Sequence, residues 1–223
     1  LFRCKKDYEG FMMLTFEQAR EWYKNTDPVH DFSHIERVYR MAERLAKIEG
    51  ADLEIVRAAV LLHDADGTTP GSDVRKEHHL RSAEFAETIL KAEGWPQERI
   101  AAVQHCIRAH RYRDDREPPD TIEAKVLFDA DKLDVLGAIG AVRATGYAAL
   151  AGTPFYSEPS AQFLSTGQEK PGELHSAYHE HIFKLRNVEK RLYTATAKAL
   201  ARERRRYLDE FFEQLIAEIN GER

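Results

Sequence analysis

The stretch Ile55 to Leu62, Ile-Val-Arg-Ala-Ala-Val-Leu-Leu, is apolar nearly all round and runs straight into His63-Asp64-Ala65-Asp66-Gly67. Asp52 ahead of it is a helix-capping residue, so the spacing predicts a helix opening there. A helix with no polar face is buried in the centre of a domain. Ionisable groups at the end of such a helix need partners, since burying a polar group unpaired costs about a few kcal/mol. The end of this helix is therefore the first place to look for a site.

Elsewhere the dominant signal is helical periodicity. Thr15 followed by Gln18 forms a capping box that opens a helix through Trp22, and Asp27-Pro28 breaks it. Ser33 is the expected cap of the next helix, with Ile35, Val38, Met41, Ala42, Leu45 and Ile48 on one face and Gly50 as its stop. Helices are expected near 75–93 and 97–110, with a charged loop from Arg113 to Pro119. Asp120 and Glu123 mark a second capping box. The helix they open runs through Leu133 to Leu136 and carries Asp129, Asp131 and Asp134 in a mostly apolar context. A short helix over 138–151, a long Gly-, Pro- and Ser-containing loop over 152–172, and helices near 173–185 and 190–219 complete the chain. In the last, Leu200, Leu208, Phe211, Leu215 and Ile219 are the expected buried stripe. With no alternating pattern of useful length, the fold class is all-α, a compact multi-helix bundle. Residues 15–223 are expected to form one domain behind a flexible extension, 1–14, in which Met12 or Met13 is a candidate start.

Composition narrows the function classes. A formal charge of -5 over 223 residues gives no basic face for nucleic acid. The run Arg202, Arg204, Arg205, Arg206 lies in a helical pattern and is read as a solvated face. No apolar stretch approaches the roughly 18 residues of a membrane span. The two cysteines, Cys4 and Cys106, do not suggest a disulfide, which is consistent with a cytoplasmic location.

Four residues then stand out: His34 near a helix start, His63 and Asp64 at the end of the buried helix, and Asp131 within another helix. Imidazole and carboxylate are ligands that divalent metals accept. Helices contributing ligands inward are a standard way to build a metal site in a bundle. Neighbouring residues on a helix point about 100° apart, so His63 and Asp64 share an ion only at a helix end, which Gly67 provides. Asp64 and Asp131 both sit where a carboxylate would be buried, and a shared cation offsets both costs. Two His and two Asp leave positions open for water and substrate.

The wording around these residues resembles the HD-domain metal-dependent phosphohydrolases, in particular the single-domain bacterial predicted hydrolases. The segments are "HDFSHIERV" (His30 to Val38), "AAVLLHDAD" (Ala58 to Asp66), "IRAH" (Ile107 to His110), "DADKLDVLGAIGAVR" (Asp129 to Arg143) and "TAKALARER" (Thr196 to Arg204). The resemblance runs from about residue 15 to 218. It implies that His34, His63, Asp64 and Asp131 bind one divalent ion, of Mn, Fe, Co, Ni or Mg. It also implies hydrolysis of a phosphoester or phosphoanhydride in a small phosphorylated compound, a nucleotide by preference.

Within that expectation Asp66 is the carboxylate assigned to orient the attacking water. Lys132, Arg143 and Lys184, with Arg204 behind them, are candidate phosphate contacts. His30, His79, His105 and His110 are assigned to orienting ligands or substrate, or to a second ion. A homodimer is a candidate assembly. Two other uses of the same fold are a non-catalytic metal- or nucleotide-binding regulatory module and a di-iron oxygenase, the latter needing His79 with His105 or His110 as further ligands.

Overall fold

A computed structural model of the chain describes residues 11–24, 31–66, 77–111 and 116–223. His30, Gly67, Cys4 and residues 113–115 of the expected charged loop therefore lie outside the described residues. The described chain is helical, as its periodicity predicts, and falls into two units, Leu1–Asp131 and Lys132–Arg223.

The first unit contains α1 (Phe16–Trp22), α2 (Phe32–Glu49), α3 (Leu53–Leu62), α4 (His78–Ala92), α5 (Gln97–Ala109) and most of α6 (Ile122–Leu133). The capping box on α1 is complete: Thr15 Oγ accepts from Gln18 N, and the Gln18 side chain accepts from Thr15 N. The cap of α2 is Asp31 rather than Ser33; the carboxylate accepts from Ser33 N, so the serine is the capped residue and not the capper. A carboxylate at that position also complements the helix dipole. Gly50 closes α2 in the left-handed region (φ 75°), which a side chain would strain. Asp52 caps α3 as expected, accepting from Glu54 N and Ile55 N. The cap of α6 is Thr121, whose Oγ accepts from Ala124 N; Glu123 instead accepts from Asp52 N at 2.9 Å and ties α6 to the start of α3.

In this unit α3 is the hub, in contact with α1, α2, α4 and α5. Val56, Ala59, Val60 and Leu62 are completely buried and Ala58 and Leu61 almost so, which fits a helix apolar on nearly every side. From α2, Ile35, Val38, Ala42 and Leu45 join them, whereas Ile48 is exposed. Residues 11–14 are anchored, in contrast to the extension expected from the sequence. Met12 N donates to Glu93 O, Trp95 Nε1 donates to Met12 O, and Phe11 packs on Trp95 with ring centroids 4.5 Å apart.

The second unit contains α7 (Gly137–Leu150), α8 (Ala161–Thr166), α9 (Ala177–Phe183), a 3-10 helix (Leu185–Arg191) and α10 (Ala195–Ile219). The expected loop at 152–172 is thus interrupted by α8, capped by Ser160. The buried stripe of α10 is Ala197, Ala201, Leu208 and Phe212, so only Leu208 of the expected set is in it. Alanines let α7 and the 3-10 helix approach α10 closely, while Ile219 is exposed. Among the described residues, no single helix is long and apolar enough to cross a membrane.

A histidine and aspartate cluster at the end of α3

Helix α3 stops at Leu62, and His63 is its C-cap. The last carbonyls of a helix lack intrahelical partners. Here Val60 O is met by His63 Nδ1 at 2.8 Å, Leu62 O by Ala65 N at 3.2 Å, and Leu61 O by the Tyr23 hydroxyl at 3.1 Å. A carbonyl only accepts, so His63 Nδ1 carries a proton and Nε2 is the ring atom left to face the cluster. His110 repeats the device at the end of α5, with Nδ1 2.5 Å from Ile107 O.

Around these two rings the structure gathers the expected ligands. His34 Nε2 is 3.4 Å from Asp131 Oδ1, and His63 Nε2 is 3.7 Å from Asp64 Oδ2. The His34 and His63 rings lie 5.8 Å apart, and those of His63 and His110 lie 5.0 Å apart. Three overlapping sets have ligand atoms within 4.8 Å of one another: His34, His63 and Asp64; His63, His110 and Asp131; and Asp64, His78 and His110. His34, His63 and His110 are buried, and so is Asp131.

The cluster carries an electrostatic conflict. Burial pushes His110 down to about 4, so its ring is neutral near pH 7. With Nδ1 committed to a carbonyl, that neutral ring turns a lone pair toward Asp64 Oδ1, 3.5 Å away. Burial alone would raise the Asp64 carboxyl, but the positive charge that His63 can carry, followed by contacts from His110 and His78, holds it well below the usual range. The carboxylate thus calls for positive charge at a place where burial keeps the His110 ring neutral. His63 Nε2 and Asp64 Oδ1 are buried with no hydrogen-bond partner among the described residues. A cation shared by these atoms removes the conflict, so the donor set fits a metal.

The other candidate residues fall in several places. Asp66 is held by Arg81 through contacts of 3.2 to 3.3 Å, and its backbone N–H and C=O both bond Ser82 Oγ. His105 faces Glu117 at 2.7 Å and accepts from Asp120 N. His79 Nε2 lies 3.5 Å from an Arg116 guanidinium nitrogen. The histidine of that pair that joins the cluster is His78, not singled out from sequence: its Nε2 is 3.3 Å from Asp64 Oδ1 and 3.4 Å from His110 Nε2. Tyr23, which no sequence motif marks, also reaches this helix end. In the second unit Arg143 pairs with Asp134, Lys184 with Glu180, and Arg204 donates to Leu133 O at 2.6 Å.

A helical fold with inward-facing imidazoles and carboxylates at one helix end is the arrangement of the HD domain, and the family model for the HD domain matches residues 31–136. This chain belongs to that family. It is 32% identical over 212 residues to the uncharacterized protein YpgQ of Bacillus subtilis (strain 168), covering 92% of this chain and 94% of that one. The crystal structure of Bacillus subtilis YpgQ in complex with ADP is similar with a TM-score of 0.70 and 30% identity, over 93% of this chain and 99% of that one. A predicted HD superfamily hydrolase from an uncultured Thermotogales bacterium is similar with a TM-score of 0.61 and 28% identity, over 91% and 90% of the two chains.

Proposed function

We propose that this protein is a metal-dependent phosphohydrolase that cleaves a phosphoester or phosphoanhydride bond of a nucleotide or a related small phosphate compound. One divalent ion is held by His34, His63, Asp64 and Asp131. The observation that carries the reading is the pair of carbonyl-locked imidazoles, His63 and His110, aimed into a buried cluster with two carboxylates. The ADP bound to the similar YpgQ favours a nucleotide over other phosphate compounds. A bound divalent ion supplies an acidified water and polarises a phosphoryl oxygen.

The protein's own share is positioning and charge, as phosphoryl transfer requires. His63 Nδ1 stays on the Val60 carbonyl, so its Nε2 is held as a donor atom without a competing tautomer. His78 Nε2, facing Asp64 Oδ1, is proposed to meet an oxygen of a substrate or of water beside the ion, and His110 Nε2, left as an acceptor, to receive a hydrogen bond from such a water. Asp66 is the proposed water-orienting carboxylate, with Arg81 fixing its direction. Lys132, which directly follows Asp131, is the proposed phosphate contact; Arg143 and Lys184 would take that role only by exchanging their acidic partners.

The test is a screen for phosphate and pyrophosphate release from nucleotides, ADP included, with Mn²⁺, Fe²⁺, Co²⁺, Ni²⁺ or Mg²⁺, with Asp64→Ala as control. Turnover by the parent and none by the variant is expected. No turnover with any ion, or equal turnover by the variant, removes the enzyme reading and leaves a binding module. Two irons per chain would favour oxygenase chemistry instead.

A further inference from the structure

Tyr23 is a buried phenol that the proposed chemistry does not use. It is the C-cap of α1, only 5% exposed, and its hydroxyl donates to Leu61 O at 3.1 Å. That carbonyl belongs to the last turn of α3. Of the three carbonyls there with identified partners, Val60 O is bonded by the His63 ring and Leu62 O by Ala65 N, both next to the carbonyls they serve. Only Leu61 O is served by a different helix. The Tyr23 ring also packs against Phe32 at 5.6 Å, two residues before His34 on α2. A single side chain thus touches the exits or entries of three helices, two of which carry proposed ligands.

The phenol has a second tie to the pair. Burial first, then the charge of the Asp64 carboxylate, push it upward, and a backbone hydrogen bond from Asp64 opposes them, so the phenol and Asp64 are neighbours. Successive residues on an undistorted helix diverge by about 100°, so His63 and Asp64 converge on one ion only if the chain leaves α3 in a set direction.

We infer that Tyr23 is a positioning residue for the proposed metal site, its hydroxyl fixing the exit of α3 so that His63 and Asp64 face the same ion. This rests on the metal-site reading above. Groups that orient ligands commonly affect metal affinity about 10- to 100-fold when removed. Tyr23→Phe keeps the ring against Phe32 and removes only the hydroxyl.

The experiment is calorimetric titration of metal-stripped protein with Mn²⁺, comparing the parent, Asp131→Ala, Tyr23→Phe and Phe16→Leu. Phe16 packs on Phe32 and Tyr39 and carries no hydroxyl to donate, so its variant controls for general loosening. Tyr23→Phe is expected to raise the Kd about tenfold or more and to speed hydrogen exchange at the Ala65 amide before metal is added. Phe16→Leu should lower Tm and leave both within twofold. A Tyr23→Phe Kd within twofold of the parent overturns the inference while the metal site stands. A Tyr23→Phe protein that does not fold also overturns it, since the phenol would then be a determinant of the fold. A parent that takes up no ion, or an Asp131→Ala variant that binds as well as the parent, removes the metal-site reading and this inference with it.

Discussion

His34 Nε2 and Asp131 Oδ1 lie 3.4 Å apart, although one belongs to the first turn of α2 and the other to the end of α6. Folding brings both to the two residues that follow α3. Replacing Asp131 by Ala removes the carboxylate while preserving a good helix former on α6. Metal content is expected to fall from about one ion per chain to none detectable. The helical circular dichroism should stay within about a tenth of the parent's, because helix content depends mainly on the packed apolar faces. Full occupancy in the variant would refute the assignment of Asp131.

Metal should stabilise the fold. An ion present at about 100 times its Kd contributes roughly 2.7 kcal/mol. For a chain of this length that corresponds to a rise of about 5–10 °C in Tm, reversed by a chelator. Differential scanning calorimetry with and without Mn²⁺ measures it directly. An unchanged Tm across all five proposed ions would count against a resident metal.

A separate pH dependence is built into the second unit. His181 is fully buried and stacked on Phe212, with Nε2 3.0 Å from Asp209 Oδ1 but neither ring nitrogen in hydrogen-bond geometry. Burial, then the charge of Arg186, push the imidazole down to about 4 despite Asp209. Between about pH 6.5 and 4 the unfolded chain holds more protons than the folded one, so stability is lost as the pH falls through that window. The loss should be on the order of 1–2 kcal/mol after allowing for solvent screening. In His181→Gln this contribution to the slope of unfolding free energy against pH should vanish. A slope equal to the parent's would show that His181 is not its source.

Gly140 on α7 has no room for a methyl group. A Cβ there would lie 2.3 Å from Val135 O, a backbone atom that cannot move aside alone. Gly140→Ala, ordinarily favourable in a helix, is expected to cost about 2–3 kcal/mol. Urea denaturation should show a lower midpoint, and an equal or higher one would contradict the close approach.

Much of this organisation is written locally. Capping residues and glycine stops give the ends of α1, α2 and α3 to within a residue or two, and the all-round apolar α3 foretells a buried helix ending in ionisable groups. What is not legible depends on helical phase. In Glu77-His78-His79 either histidine can face inward, and α4 begins at His78, where no preceding turn reveals the phase. Hence the sequence points to His79 and the fold turns His78 to the cluster. His105 sits four residues before the end of α5 and satisfies every local criterion, yet Glu117 claims it. The stripe of α10 fails for another reason: alanines face its neighbours, and hydrophobicity alone points to the larger side chains. Tyr23 carries no motif, since only a tertiary contact links it to Leu61.

His63 Nε2 at the tip of the central helix has an outcome beyond the proposed chemistry. Because α3 touches α1, α2, α4 and α5, whatever satisfies that atom is felt by the whole first unit. With the proposed ion bound, opening this unit means losing the ion as well, and proteases act on opened chains. Under metal starvation, cells would accordingly be expected to degrade this protein faster as well as idle it, so its abundance would itself report the metal supply.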